Sequence, residues 1–305
     1  MPLEFNNEEV EIQVLSGMTY RGILLLLNEN GMNRNIYLFH IYGLLTGIDK
    51  KIKAGYYIFS RGTSASDVLN ELYTGESIRY FCIFMVPGST IWDLADKLEN
   101  LKIINKESFI NLINSDELRT SLKIDAPTLE GYLAPDTYKF PKKYPLEEIL
   151  KLMLRNRRIH YPKDFDQRLI ELGMSENEIL TLASIIEKEA VMDSERPIIS
   201  GVYHNRIKRG LKLQADPTAI YGVKDYRKGV TKNDLRNETL YNTYKITGLP
   251  PGPIATPSNK SIVAALHPAD VPYLYFMSKH DGTHQFTSTY FDHADAVRKY
   301  RRVGK

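Results

Sequence analysis

Two glutamates, Glu187 and Glu189, stand at the end of a segment whose spacing is typical of an amphipathic helix. Apolar residues recur there at helical intervals and form one face: Ile179, Leu182, Ala183, Ile186 and Ala190. At about 100° per residue, the two glutamates lie on opposite flanks, each about 80° from the centre of that face. Partial desolvation at such a boundary raises the pKa of a carboxyl group toward that of a general acid. Helical geometry favours neither glutamate, and it predicts that Lys188 points outward.

The start of this helix is also marked in the sequence. Ser175 and Glu178 have the spacing of a capping box, in which each side chain satisfies a free backbone N–H group of the first turn. A second helix is predicted across 202–206. The loops that follow are rich in proline, glycine and short polar residues, and such loops can hold hydrogen-bond donors toward a ligand. They span 213–222, 241–244 and 247–255.

Metal chemistry is not predicted from this sequence. His280 and His284 are four residues apart, but Gly282 between them argues against a helix, and no third ligand is near in sequence. The single cysteine, Cys82, excludes an internal disulfide and a Cys/His metal motif. We therefore expect no metal and no other cofactor.

A weak internal repeat indicates how the N-terminal part is built. Residues 12–27 and 83–98 each predict an alternating strand, a glycine turn and a threonine that caps a helix. The aligned pairs are Gly17 with Gly88, Thr19 with Thr90, Ile12 with Ile83, Ile23 with Leu94 and Leu27 with Leu98. The first copy continues into a return strand at 54–59 and a helix at 64–72, with Ser66 as its candidate cap. This order resembles a LysM-like βααβ module, a fold that often contacts peptidoglycan.

Composition narrows the class of protein. The chain has 305 residues, of which 43% are hydrophobic and 25% charged, as in folded proteins. Its 40 basic and 37 acidic residues give a net charge of +3, so no strong field attracts nucleic acid, and we expect no nucleic-acid partner. No stretch approaches the roughly 18–20 apolar residues that span a bilayer, and no signal peptide opens the chain.

Several short strings, taken in their order along the chain, resemble those of one known family. They are 129–138 (LEGYLAPDTY), 183–189 (ASIIEKE), 214–222, 242–244, 248–256, 267–269, 273–276 and 284–286. The similarity runs from about residue 8 to about residue 300. On these strings the chain resembles the YceG-like family of endolytic murein transglycosylases, enzymes that act on peptidoglycan glycan strands.

The resemblance implies a reaction and a catalytic residue. In the family, the second glutamate of the E-K-E triplet is catalytic, which is Glu189 here. Glu187 and Glu130 are then supporting residues. The implied reaction breaks the bond between N-acetylmuramic acid (MurNAc) and N-acetylglucosamine (GlcNAc). The C6 hydroxyl of the same MurNAc is the nucleophile, so one carboxyl group suffices and 1,6-anhydro ends form.

Five further residues are expected to line the cleft and to bind the sugar. They are Gln214, Asp216, Thr218, Asn242 and Tyr244. Each has a competing structural role: Asp216, which precedes Pro217, would cap a turn, and Asn242 would hold a loop.

Two other functions stay open at this point. The first is a peptidoglycan hydrolase, which would pair Glu189 with Asp136, Asp216 or Glu130, because ordinary glycoside hydrolysis needs two carboxyl groups. The second is a scaffold without enzymatic activity, in which the LysM-like modules bind peptidoglycan.

The sequence thus predicts an α+β protein of three parts. A LysM-like module covers 8–79, a second LysM-like or connecting region covers 80–125, and a mixed α/β catalytic domain covers 126–305. The resemblance implies a place in the bacterial envelope, with a membrane anchor upstream of the given chain and the catalytic domain facing the cell wall. It also implies peptidoglycan synthases (penicillin-binding proteins) as possible partners.

Overall fold

The computed structural model describes residues 9–15, 17–30, 36–60, 63–75, 80–141, 144–223, 225–226 and 229–300. It confirms a mixed α/β chain in which helices predominate and the strands pair two by two. The chain divides into two compact units, one of residues 1–83 with 138–149, and one of 84–137 with 150–305. None of the helices in the described ranges is long and apolar enough to cross a membrane.

The first unit is built around an antiparallel strand pair. Its elements are β1 (Glu9–Val14), α1 (Tyr20–Glu29), α2 (Ile36–Thr46), β2 (Gly55–Ser60) and α3 (Ala65–Thr74), followed by β3 (Tyr80–Phe84), which pairs with β4 (Thr137–Pro141). Strand β1 pairs with β2, and its Val10, Ile12 and Val14 enter the core at the period of two that a half-buried strand requires. Helix α1 adds buried residues at helical spacing, including Ile23 and Leu27.

The predicted repeat is confirmed in local structure. Thr19 caps α1 and Thr90 caps α4 (Ile91–Asn100), each by accepting a hydrogen bond from a backbone N–H of the first turn. Gly17 and Gly88 have φ angles of 83° and 80°, a region that glycine occupies without steric cost. The two copies therefore use the same glycine turn to start a helix behind a strand.

The return strand and helix of the first copy are present, with one correction. Ser66 is not the cap of α3, because the side chain of Ser64 accepts the hydrogen bond from Asp67 N at 3.2 Å. The β1–α1–α2–β2 order agrees with the predicted βααβ order. The LysM-like identity of this unit and the three predicted domain boundaries stay predictions.

The second unit is mostly helical. Its remaining elements are α5 (Lys106–Ile113), α6 (Asp116–Ser121), α7 (Leu146–Ile159), α8 (Phe165–Leu172), α9 (Glu176–Glu189), α10 (Arg196–Lys208), α11 (Asn259–Leu266), β5 (Tyr275–Ser278), β6 (His284–Thr287) and α12 (Tyr290–Tyr300). Helix α7 begins in the first unit and ends in the second. Helix α9 packs against α10 and α11, and β5 and β6 form an antiparallel hairpin. This arrangement puts the helix with the two glutamates at the centre of the unit.

Candidate active site

Helix α9 begins as predicted but is buried more completely than one apolar face would require. The capping box of Ser175 and Glu178 is present with both of its hydrogen bonds. Every residue from 179 to 186 is buried, including Thr181 and Ser184. The Ser184 hydroxyl accepts a hydrogen bond from Ile254 N at 2.9 Å, so the loop before α11 covers the face that was expected to be polar.

Lys188 does not point outward into solvent. Its ammonium donates to Gly88 O at 2.8 Å and lies 3.9 Å from the centre of the Tyr226 ring. The prediction failed because helical periodicity carries no information about the chain that packs over the far side of a helix.

Glu187 is held by several donors from α11 and α10. It accepts hydrogen bonds from Ser258 N at 2.9 Å, from the Ser258 hydroxyl at 2.5 Å and from the Ser261 hydroxyl at 2.8 Å. The Arg196 guanidinium forms an ion pair with it at 3.2 Å, and the two side chains are 8% and 10% exposed. These contacts occupy both carboxylate oxygens of Glu187 and fasten the end of α9 to α10 and α11, so the side chain has a structural role.

Glu189 has a different environment two residues further along. Its one hydrogen bond within the described part of the chain comes from the Tyr203 hydroxyl, at the long distance of 3.4 Å. Burial raises the pKa of Glu189 to about 8, and the nearby negative charge of Asp216 acts in the same direction. Its carboxyl group therefore carries a proton at neutral pH, as a general acid requires.

A cleft of about 740 Å³ opens beside Glu189. This volume lies within the range of roughly 300–1,000 Å³ that is common for ligand sites. The cleft brings together four of the predicted site residues: Glu189, Gln214, Asp216 and Tyr244. Further lining residues come from α10, the β5–β6 hairpin and α12: Arg206, Tyr275, Phe276, Met277, Ser278, His280, His284, Tyr290 and His293.

Asp216 and Tyr244 form a polar pair in this cleft. The Tyr244 hydroxyl donates to Asp216 Oδ1 at 2.5 Å. Gln214 has a φ of 51°, and its Oε1 accepts from the Arg206 guanidinium at 3.3 Å. A non-glycine residue in the left-handed region carries backbone strain, which is common where a loop must present its side chain to a ligand.

The structure does not place Thr218 and Asn242 on the cleft wall. Both are fully buried. The Thr218 hydroxyl donates to Ala215 O at 2.6 Å, and the Asn242 amide donates to Asn237 O at 2.7 Å while accepting from Tyr244 N at 3.0 Å. These contacts hold the two loops that carry Asp216 and Tyr244, so we expect both residues to position the loops and not to touch a ligand.

Glu130 and Asp136 also lie away from this cleft. Glu130 is buried, accepts from Ile91 N at 3.0 Å and from the Tyr221 hydroxyl at 3.2 Å, and has its pKa raised by burial to about 7. Asp136 is exposed and lines a separate cavity of about 510 Å³ that Glu187 also borders. Of the carboxyl groups weighed from the sequence as partners of Glu189, Asp216 is the one that shares its cleft.

The hairpin residues of the cleft were not assigned from the sequence. Strings 273–276 and 284–286 carried part of the family resemblance, yet nothing in their spacing indicated that they face Glu189.

His280 has a φ of 65° in the hairpin turn, so the two histidines are not on a helix, as predicted. Within the described ranges, no group of three His, Cys, Asp or Glu side chains could hold a metal ion.

Comparisons with known proteins agree on one family. The model of the YceG-like family matches residues 12–299. A Bacillus subtilis (strain 168) protein named "Endolytic murein transglycosylase" is 31% identical over 95% of this chain and 84% of its own length. A Streptococcus pneumoniae (strain R6) protein of the same name is 25% identical, and the chain spans 56% of its length. A crystal structure of a yceG-like protein from Listeria monocytogenes has a TM-score of 0.65 and 28% identity, covering 94% of this chain and 98% of that one.

Proposed function

We propose that this chain, which belongs to the YceG-like family, is a lytic transglycosylase that cleaves peptidoglycan glycan strands internally. The observation that carries the proposal is Glu189, a protonated and sparsely hydrogen-bonded carboxyl group at the wall of a cleft large enough for a sugar unit. The name shared by the relatives, endolytic murein transglycosylase, supports this substrate and this reaction.

In the proposed reaction, Glu189 acts first as an acid and then as a base. Its proton passes to the glycosidic oxygen between MurNAc and GlcNAc while the bond from that oxygen to C1 breaks. The resulting carboxylate accepts the proton of the MurNAc C6 hydroxyl, whose oxygen bonds to C1 and closes the 1,6-anhydro ring. Glu189 ends protonated as it began, now with the proton of the C6 hydroxyl. Because that hydroxyl is the nucleophile, the reaction consumes no water.

The surroundings of Glu189 suit both steps. Burial keeps the proton on the carboxyl group before substrate protonation. Asp216, which contributes to the raised pKa of Glu189, also provides negative charge near the place where positive charge develops at C1. Tyr244 holds the Asp216 carboxylate through its hydroxyl.

The alternative that the geometry leaves open is a hydrolase. Asp216 lines the same cleft as Glu189 and could activate a water molecule, whereas Glu130 and Asp136 lie outside that cleft. Hydrolysis would leave reducing ends, and transglycosylation leaves anhydro ends.

Product analysis tests the proposal directly. We expect digestion of intact sacculi by the purified protein to release internal fragments that end in 1,6-anhydro-MurNAc, measured by mass spectrometry of the muropeptides. Reducing ends without anhydro ends would replace the transglycosylase with the hydrolase. Binding to sacculi without any cleavage would instead favour the scaffold.

The pH dependence of activity should report the Glu189–Asp216 interaction. Because the reaction needs protonated Glu189, we expect kcat/KM to fall as the pH rises through about 8. Asp216→Asn removes a negative charge that helps to raise the pKa of Glu189, so this alkaline limb should move to lower pH. As a control, Asp96→Asn also removes one negative charge, but from an exposed ion pair with Lys106. It should leave the alkaline limb of the pH profile unchanged. An unmoved limb in Asp216→Asn would contradict the assigned electrostatic role.

The location of the protein follows from its proposed substrate. Peptidoglycan lies on the outer side of the bacterial cytoplasmic membrane, so we propose that the chain acts in the cell envelope, on the wall side. Cleavage inside strands would end the elongation of nascent glycan. Anchoring to the membrane and contact with peptidoglycan synthases, which the family resemblance implies, are proposed on the same basis.

A further inference from the structure

A buried histidine–glutamate pair lies in the wall of the Glu189 cleft. His284 begins β6, and Glu195 ends the short 3-10 turn Asp193–Glu195 that follows α9. His284 Nδ1 is 2.6 Å from Glu195 Oε2, and His284 N donates to Glu195 Oε1 at 3.0 Å. The two side chains are 7% and 13% exposed, so this is not a solvated surface pair.

The carboxylate of Glu195 fixes the imidazole of His284. An ionised carboxylate only accepts hydrogen bonds, so the nitrogen that faces it, Nδ1, carries a hydrogen. That leaves Nε2, which has no hydrogen-bond partner within the described part of the chain. His284 also borders the cleft that Glu189 borders.

Packing connects His284 to the catalytic side of the cleft. Its ring meets Phe276 edge to face at 5.3 Å, and Phe276 meets Tyr203 edge to face at 5.8 Å. The hydroxyl of Tyr203 is the group that donates to Glu189. A continuous row of packed rings thus fixes the imidazole relative to the acid, which is how a preorganised binding group is held.

We propose that His284 is a substrate-binding residue. Its Nε2, oriented by Glu195, makes a hydrogen bond with a sugar hydroxyl near the glycosidic oxygen that Glu189 protonates. A hydroxyl both donates and accepts, so it matches Nε2 in either protonation state of the imidazole. The inference rests on the proposed function for the identity of the substrate. It assigns a role to the hairpin, since β6 supplies the histidine.

A purely structural role is the competing explanation, in which the pair only fastens the hairpin to the 3-10 turn. Two substitutions separate the roles because each keeps one of the two ring nitrogens. In His284→Asn the amide nitrogen can replace Nδ1 and still donate to Glu195, but nothing reaches the position of Nε2. In His284→Gln the amide extends toward the position of Nε2, while the side-chain bond to Glu195 is lost and the backbone bond remains.

The test measures kcat/KM on uncross-linked glycan strands together with melting temperature. We expect His284→Asn to melt near wild type but to lose about 10- to 100-fold in kcat/KM, the effect of a lost hydrogen bond to substrate. His284→Gln should keep more of the activity. His267→Asn is a matched control, since His267 pairs with Asp164 at 3.0 Å, half exposed and outside the cleft, and it should match wild type.

Other outcomes would overturn the inference. Wild-type kcat/KM in His284→Asn would do so. A larger loss of kcat/KM and of melting temperature in His284→Gln than in His284→Asn would also do so, because a structural role depends on the side-chain bond to Glu195 that only the glutamine variant loses. Strand binding by Glu189→Gln and by Glu189→Gln/His284→Asn should differ in Kd by a similar factor. If wild type yields no anhydro ends, the proposed function fails, and this binding comparison still decides the role of His284.

Discussion

Replacing Glu189 with glutamine is expected to reduce strand cleavage by about 10³-fold, within the range that general acid–base catalysis contributes. The amide has nearly the shape of the acid but has no proton to give to the glycosidic oxygen. It also cannot take the proton of the C6 hydroxyl. Release of anhydro ends from sacculi, followed over time, measures the loss.

The same substitution should not weaken the fold. The folded pKa of Glu189 is raised from 4.5 to about 8, so between these pH values the folded state holds a proton that the unfolded state has lost. The contribution of Glu189 to the free energy of unfolding therefore falls as the pH rises from about 5 to about 8. Glutamine has no charge to bury, so we expect Glu189→Gln to be at least as stable as wild type at pH 7, by urea unfolding.

A surface glutamate provides the control for this experiment. Glu171 is exposed and pairs with Arg168, three residues before it on α8. Glu171→Gln makes the same chemical change and should cleave strands like wild type. Equal rates for Glu189→Gln and Glu171→Gln would exclude Glu189 as the acid.

The largest loss of stability is expected from Arg196→Met. The guanidinium of Arg196 is the cation paired with Glu187, and it also donates to the Ser261 hydroxyl. Removing Arg196 leaves the buried Glu187 carboxylate with its hydrogen bonds from Ser258 and Ser261 but without its counter-ion, and breaking a buried ion pair in this way costs about 3–5 kcal/mol. Urea unfolding at neutral pH would measure this decrease in the free energy of unfolding.

A double variant shows whether the decrease in the free energy of unfolding comes from the Glu187 charge that has lost its counter-ion. In Glu187→Met/Arg196→Met both charges are replaced by apolar side chains of similar length, so we expect it to be more stable than Arg196→Met alone. The exposed pair of Arg298 and Asp295 offers a control, since Arg298→Met should change stability by less than about 1 kcal/mol. A double variant as unstable as the single one would mean that Arg196 acts mainly through other contacts.

Local features of this chain were predictable from its sequence. The two threonine caps, the glycine turns before them and the capping box of α9 depend on residues at most four positions apart. Short-range backbone chemistry determines these features, and it can be read from spacing.

The difference between the two glutamates could not be derived in that way. Helical geometry puts Glu187 and Glu189 on equivalent flanks, and the donors that distinguish them come from far along the chain. Ser258 lies 71 residues after Glu187. Two other features also depend on contacts between distant parts of the chain. His284 lies 89 residues from Glu195, its partner, and the loop that contacts Ser184 buries the side of α9 that was expected to be polar. The family resemblance identified Glu189 as the catalytic residue but did not predict these contacts.

The 3-10 turn Asp193–Glu195, with Arg196 directly after it, sets limits on engineering. Within four residues, Asp193 pairs with Lys260 of α11, Glu195 with His284 of β6, and Arg196 with Glu187 of α9. One added or deleted residue would shift all three pairs out of register together. Although the turn is partly exposed and looks like a convenient site for a tag or a grafted loop, it is a fixed spacer whose length must be preserved.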